Sequence, residues 1–270
     1  MVHLTAAPLR RPGDAADAVP GKATGDGPAV SLRRLVDTCP DLRVTLVAER
    51  PATGGSWHAG TELALRVEAL VAAEAERIAA RHGSVPPPHV AASRLLHHYL
   101  WSVCLLSAGL WYLDGRVARL DPAALWIEET TADLAVTPPD GAPLGGPEEL
   151  RSAVAAHCGP LLAAFRPAVR RGPHAMWGMV GDDLVSALWY LGRTLGDEDR
   201  AVAAAGAVLP GGTPPFPGAA AFRRLVGADG RSHPTRTRHG CCLYYAVRPD
   251  EACATCPRTC DAERLRRLEA

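Results

Sequence analysis

Five of the eight cysteines fall in the last thirty residues, at Cys241, Cys242, Cys253, Cys256 and Cys260. A thiolate binds soft and borderline metals strongly, and a C-x2-C pair converges two thiolates from one tight turn. Cys253 and Cys256 form such a pair, and Cys241 and Cys242 lie ten residues upstream of it. The intervening LYYAV run and turn-prone RPDE predict a hairpin return, so the tail can assemble four thiolates unaided. Adjacent Cα atoms are about 3.8 Å apart, which makes two neighbouring cysteines an awkward pair on one tetrahedral Zn²⁺. A binuclear cluster is a broader target, and Cys₄ ligation is a standard arrangement for [2Fe–2S]. The residues therefore favour an iron–sulfur cluster on Cys241, Cys242, Cys253 and Cys256, with a zinc knuckle or a redox dithiol as alternatives. Cys260 extends the string to C-x2-C-x3-C and is expected to be a spare thiol near the start of the last helix.

The arrangement C-C-x10-C-x2-C, with Pro257 after the last cysteine and Tyr244 and Tyr245 after the first pair, resembles the cluster motif of the FhuF-like ferric-siderophore reductases. Met176 to Leu191 (MWGMVGDDLVSALWYL) is similar to a Trp-Gly helix of the same family. The resemblance implies a mainly helical, cytoplasmic protein whose [2Fe–2S] centre delivers single electrons to iron held by an imported siderophore. The chemistry is coherent on its own terms. Hard Fe³⁺ is held tightly by an oxygen chelator, and one added electron lowers its charge and hardness, so the same oxygens bind it less well. All-cysteine ligation suits this, since such centres sit at about −400 mV in plant-type ferredoxins. Neither a G-x-G-x-x-G nor a P-loop occurs, so the expected electron donor is another protein of ferredoxin or flavoprotein type. Two other classes compete: a non-enzymatic module whose Cys₄ zinc site staples the tail, and an iron–sulfur redox sensor.

Several other residues bear on such a site. His239, two residues before Cys241, is placed to donate to a sulfur or to sit in a solvated loop. Arg223, Arg224, Arg231, Arg236 and Arg238 face a single acid, Asp229, between Phe222 and Val247. They form a patch that would steer an anionic chelate or an acidic donor protein, or a plain solvated surface. Asp182 and Asp183 are neighbours on a helix, point apart, and are expected to form an exposed charged side. His97 and His98 are expected to be ordinary core or surface histidines. Tyr244, Tyr245 and Trp177 are expected to pack, and Cys39, Cys104 and Cys158 to be small buried hydrophobes.

The elements that must position these residues are mostly helical. Apolar periodicity predicts helices over 61–82, 90–113, 147–165 and 173–195, with a shorter one from Ser31. Alternation predicts a strand over 43–48 and a small antiparallel meander from 116–120, 124–129 and 133–136. A Gly/Pro-rich linker over 209–218 precedes a short helix expected near Phe222. The fold class is therefore α+β, mainly helical, with a disordered tail at 1–29, a helical body at 30–218 and a cluster-binding segment at 219–270. The longest apolar run, Tyr99 to Leu113, is too short for a membrane span and reads as a buried helix. With 29 Lys+Arg against 29 Asp+Glu and a pI near 7.1, the chain lacks the basic footprint of a nucleic-acid binder. No apolar stretch of secretory length opens it, so a cytoplasmic location is expected.

Overall fold

The computed structural model describes residues 27–52, 55–253 and 255–269. The expected tail therefore lies almost wholly outside the described residues, and Pro28 already begins the first helix. The longest helix, α3 (Pro88–Asp114), is apolar over most of its surface, and it runs through the centre of the protein with Leu96, Leu100, Val103 and Leu106 fully buried. A helix so largely apolar must be wrapped by others. Here the wrapping is done by α1 (Pro28–Thr38), α2 (Leu63–His82), α4 (Pro147–Val169) and α5 (Pro173–Thr194). Gly83 and Gly115 end α2 and α3 with φ of 76° and 67°, left-handed values that glycine adopts without a Cβ penalty. Among the described residues no helix is long and apolar enough to cross a membrane.

A four-stranded sheet flanks the helices in the order β1 (Val44–Leu46), β4 (Leu134–Val136), β3 (Leu125–Glu128), β2 (Trp57–Ala59). The β3–β4 and β2–β3 pairs are antiparallel, and β1 adds to β4 in parallel with Val44 opposite Leu134. The expected strand at 116–120 contributes only an isolated bridge between Arg116 and Leu144. A further helix, α6 (Glu198–Val208), follows α5 and packs its alanines against it.

After the linker the structure departs from the short helix expected near Phe222. Phe222–Val226 is a strand, β5, paired antiparallel with β6 (Ser232–Arg236) so that Phe222 faces Arg236. The reason is local. Phe222, Leu225 and Val226 are strand-prone in a run too short for a stable helix, Gly230 supplies a turn at φ 78°, and Pro234 disfavours a helix on the return. The tail ends in a one-turn helix, α7 (Tyr244–Val247), and α8 (Asp261–Glu269).

The α5–α6 contact is close enough to test. A Cβ on Gly192 would fall 2.2 Å from the Ala201 Cβ and 2.8 Å from the Asp197 carbonyl oxygen. Gly192→Ala gains about 1 kcal/mol of helix propensity, but overpacking of this kind costs about 1–3 kcal/mol. The expected net result is a lower urea midpoint with an unchanged slope; an unchanged or higher midpoint would show that the helices separate freely here.

Candidate metal centre

The tail is held on the helical body by charges that lie inside the protein. Asp182 and Asp183 on α5 are both fully buried, which corrects the expectation of an exposed charged side. They do point apart, and both are met by arginines of the tail, Arg238 lying within 4 Å of each. Asp182 accepts from the Arg236 guanidinium and, at 2.6 Å, from the Gly240 backbone N–H. Asp183 accepts from Arg238 Nη2 at 2.6 Å and from His97 Nδ1 at 2.8 Å. Charges can stay in an interior only when paired and hydrogen-bonded in this way. The arginine-rich stretch is thus not a free patch. Arg236 and Arg238 are buried, Arg223 pairs with Asp261 on α8, and Arg224 bonds to Ser232.

Close backbone contact completes the docking. A Cβ on Gly240 would lie 2.7 Å from the Met179 nitrogen, so only glycine allows the segment before the cysteines to rest on α5. A Cβ on Gly178, the residue before Met179, would lie 3.4 Å from the Gly240 nitrogen and from His239. The Trp-Gly helix is therefore the platform on which the cysteine segment sits.

From this anchor the chain brings Cys241, Cys242, Cys253 and Cys256 to the lining of one small cavity. The return is helical rather than the expected hairpin: α7 and a 3-10 turn at Pro249–Glu251 occupy the LYYAVRPDE segment. The Cys256 N–H bonds to the Cys253 carbonyl at 2.9 Å, forming the tight turn that C-x2-C implies. Arg171 donates to the Cys241 carbonyl, and Arg264, buried on α8, donates to the Cys256 carbonyl at 3.0 Å. Cys242 and Cys256 are buried, Cys241 and Cys253 are half-buried, and none of the four is in a disulfide. Cys260 is exposed at the start of α8, as expected, and does not line the cavity.

The electrostatics favour a cation among these sulfurs. Burial pushes the Cys253 thiol up to about 11 and raises that of Cys241 as well. Such thiols ionise only when positive charge is supplied, and a bound metal does this directly. Arg238 provides part of it from the protein. Burial opposes its charge, but Asp183, Asp182, Cys242 and Cys253 hold the guanidinium protonated above its ordinary value.

The remaining candidates separate cleanly. His239 is exposed, and its Nε2 lies 3.3 Å from the Ala219 carbonyl, not beside a sulfur. His98 bonds to the Ala132 carbonyl, and His97 is a support for Asp183. Trp177 packs edge-on against Phe216, while Tyr244 and Tyr245 do line the cavity. Cys39, Cys104 and Cys158 are buried in the core. Sequence reasoning missed Arg171, Arg264 and the Asp183–His97 link. One signal was present: two acids in the otherwise apolar MWGMVGDDLVSALWYL leave a helix with no solvent face to put them on.

Residues 238–258, from Arg238 to Arg258, match the family model described as the FhuF 2Fe-2S C-terminal domain. The match contains all four cavity cysteines and bears out the resemblance read from their spacing. No curated protein matches the chain.

Two outcomes follow from the buried charges. Removing one partner of such a pair costs about 3–5 kcal/mol, so Asp183→Ala should lower stability by that order in chemical denaturation. A loss below about 1 kcal/mol would mean that the pairing is dispensable. The second outcome concerns pH. Burial lowers the pKa of His97, and Asp183 is held below its usual value because His97 and Arg238 outweigh its own burial. Both folded-state values lie below the unfolded ones, so the stability they confer is complete above the unfolded His value of about 6.5 and is lost as pH falls. The unfolding midpoint should be level from pH 7 to 8 and decline below about pH 6.5, with a further fall below about pH 4; a midpoint that rises on acidification would contradict this assignment.

Proposed function

We propose that the protein is a ferric-siderophore reductase in which Cys241, Cys242, Cys253 and Cys256 hold a [2Fe–2S] cluster. One observation carries the reading: four cysteines at the matched spacing line a single cavity beside a buried arginine, within the segment that matches the 2Fe-2S domain. A [2Fe–2S] group bound there supplies one-electron redox chemistry.

The chain's own residues do the rest. Arg171 and Arg264 fix the backbone of the two cysteine turns, so the sulfurs keep their positions when charge changes. Arg238 keeps a permanent positive charge beside Cys242 and Cys253 and offsets the negative charge of the thiolates. Tyr244 and Tyr245 shield one side of the cavity, leaving a mouth at which a chelate can come close. A ferredoxin or flavoprotein donor supplies one electron. That electron passes to the chelated Fe³⁺, which becomes Fe²⁺ and is released as its oxygens lose their hold. In this account the 219–270 segment is the cluster-binding unit on a body formed by 30–218, and the reaction takes place in the cytoplasm.

Metal analysis of the purified protein tests the reading. About two irons and two sulfides per chain are expected, with visible absorption that dithionite bleaches. Cys242→Ser and Cys253→Ser should each lose most of the iron, while Cys260→Ser keeps it. A colourless protein with one zinc, or iron content indifferent to Cys242 and Cys253, would overturn the proposal in favour of a structural staple.

A further inference from the structure

The mouth of the cysteine cavity carries an arrangement that anchoring of the tail does not use. Tyr244 and Tyr245, which line the cavity, are each covered by a guanidinium. Arg94 Cζ lies 4.9 Å from the Tyr244 ring centre, and Arg258 Cζ lies 4.2 Å from that of Tyr245. Arg94 belongs to α3 and Arg258 to the turn after Cys256, so the mouth has one cation from the body and one from the tail. Neither forms an ion pair among the described residues. The nearby carboxylates are already engaged: Glu251 by Arg248 and the Tyr244 hydroxyl, Asp261 by Arg223 and Arg264, and Glu263 by Arg266 and Arg267.

A guanidinium lying on an aromatic ring has its flat face ordered and partly shielded from water, while its in-plane N–H groups still point outward. Those groups match carboxylate oxygens, which they bind as charge-assisted, often bidentate pairs. An uncharged ligand gains little from two such groups and removes water from them without compensation. The extent of the positive surface matters too. Arg236 and Arg238 are buried and Arg223 is paired, so they add no free positive charge to that of Arg94 and Arg258 beside the cavity. Resting on the reductase reading above, we infer that the substrate is a ferric chelate of net negative charge with peripheral carboxylates, seated between Arg94 and Arg258 over the two tyrosines, in preference to an uncharged trihydroxamate.

Gallium(III) chelates test this independently of turnover, because gallium resembles Fe³⁺ in size and charge but accepts no electron. Calorimetry on the iron-loaded protein would compare the gallium complex of a citrate-based dihydroxamate whose arms end in free carboxylates, which is negatively charged, with that of a cyclic trihydroxamate, which is neutral. The charged complex should bind about tenfold more tightly at low salt, and its advantage should shrink as salt is added. The double variant Arg94→Gln/Arg258→Gln should weaken the charged complex about tenfold and the uncharged one less than about twofold. Arg66→Gln, an exposed arginine on α2, should change neither. Iron content and visible spectrum establish that each variant keeps its centre. Equal affinity for the two complexes, equal weakening of both in the double variant, failure to bind either, or the same loss from Arg66→Gln would each overturn the inference. A double variant that binds both complexes normally but is no longer reduced by an acidic ferredoxin would assign the arginines to the donor and overturn it as well. Binding as expected, with a ferric counterpart that leaves the dithionite-reduced protein unoxidised, would instead overturn the reductase reading while the binding site stands.

Discussion

The structure depends on two carboxylates placed where water cannot reach them. Asp182 and Asp183 lie fully buried on α5, and among the described residues the charges that meet them there come from Arg236 and Arg238 on the tail, with the His97 ring on α3 hydrogen-bonded to Asp183. Paired charges of this kind contribute little net stability compared with an apolar core, but they are intolerant of error. A one-residue slip of the tail along α5 would leave a buried carboxylate facing a threonine or a histidine. The pairing therefore sets the register, and with Arg238 fixed, Gly240, Cys241 and Cys242 follow at fixed distances along the chain.

This explains why a cysteine-rich segment with little apolar content can be ordered at all. The tail has few large hydrophobic side chains, and its arginines act as the fasteners: Arg236 and Arg238 inward to α5, and Arg264 from α8 back onto the turn after Cys253. Arg171 reaches across from the α4–α5 connection to the Cys241 carbonyl. Chain composition is consistent with this role, since all but one of the 29 Lys+Arg residues are arginines, whose planar fork satisfies several buried acceptors at once. Beside the cysteines the same Arg238 charge faces the thiols, so that one side chain links the anchoring of the tail to the electrostatics of the proposed centre.

Much of this was legible in the sequence, and what was not has physical causes. The periodic apolar stretches located α2, α3, α4 and α5 to within a few residues, because long amphipathic or wholly apolar helices carry a strong repeating signal. The cysteine spacing marked the four residues that line the cavity, because a C-x2-C turn and an adjacent pair are written directly into sequence separation. The β5–β6 hairpin was misread as a helix, since five residues carry too little periodicity to separate the two. The α7 turn in place of a hairpin has the same origin. Asp182 and Asp183 were misread for a different reason: solvent exposure is the default for charge, and their partners lie more than fifty residues away. Only the absence of any polar face around them in α5 pointed to burial. His239 failed as a sulfur donor because its ring turns toward the Ala219 carbonyl, a choice made by packing that adjacency in sequence does not record.

The central claim is that the four cysteines hold a centre that passes one electron to chelated iron. A single-turnover experiment measures this most directly: protein reduced anaerobically, freed of reductant and mixed in a stopped-flow cell with a ferric siderophore in the presence of a ferrous-iron trap. The account predicts that the bleached visible absorption returns as trapped Fe²⁺ appears, with about one ferrous ion per reduced centre. Reoxidation with no ferrous iron trapped, or a reduced centre that persists unchanged in the presence of the chelate, would contradict it.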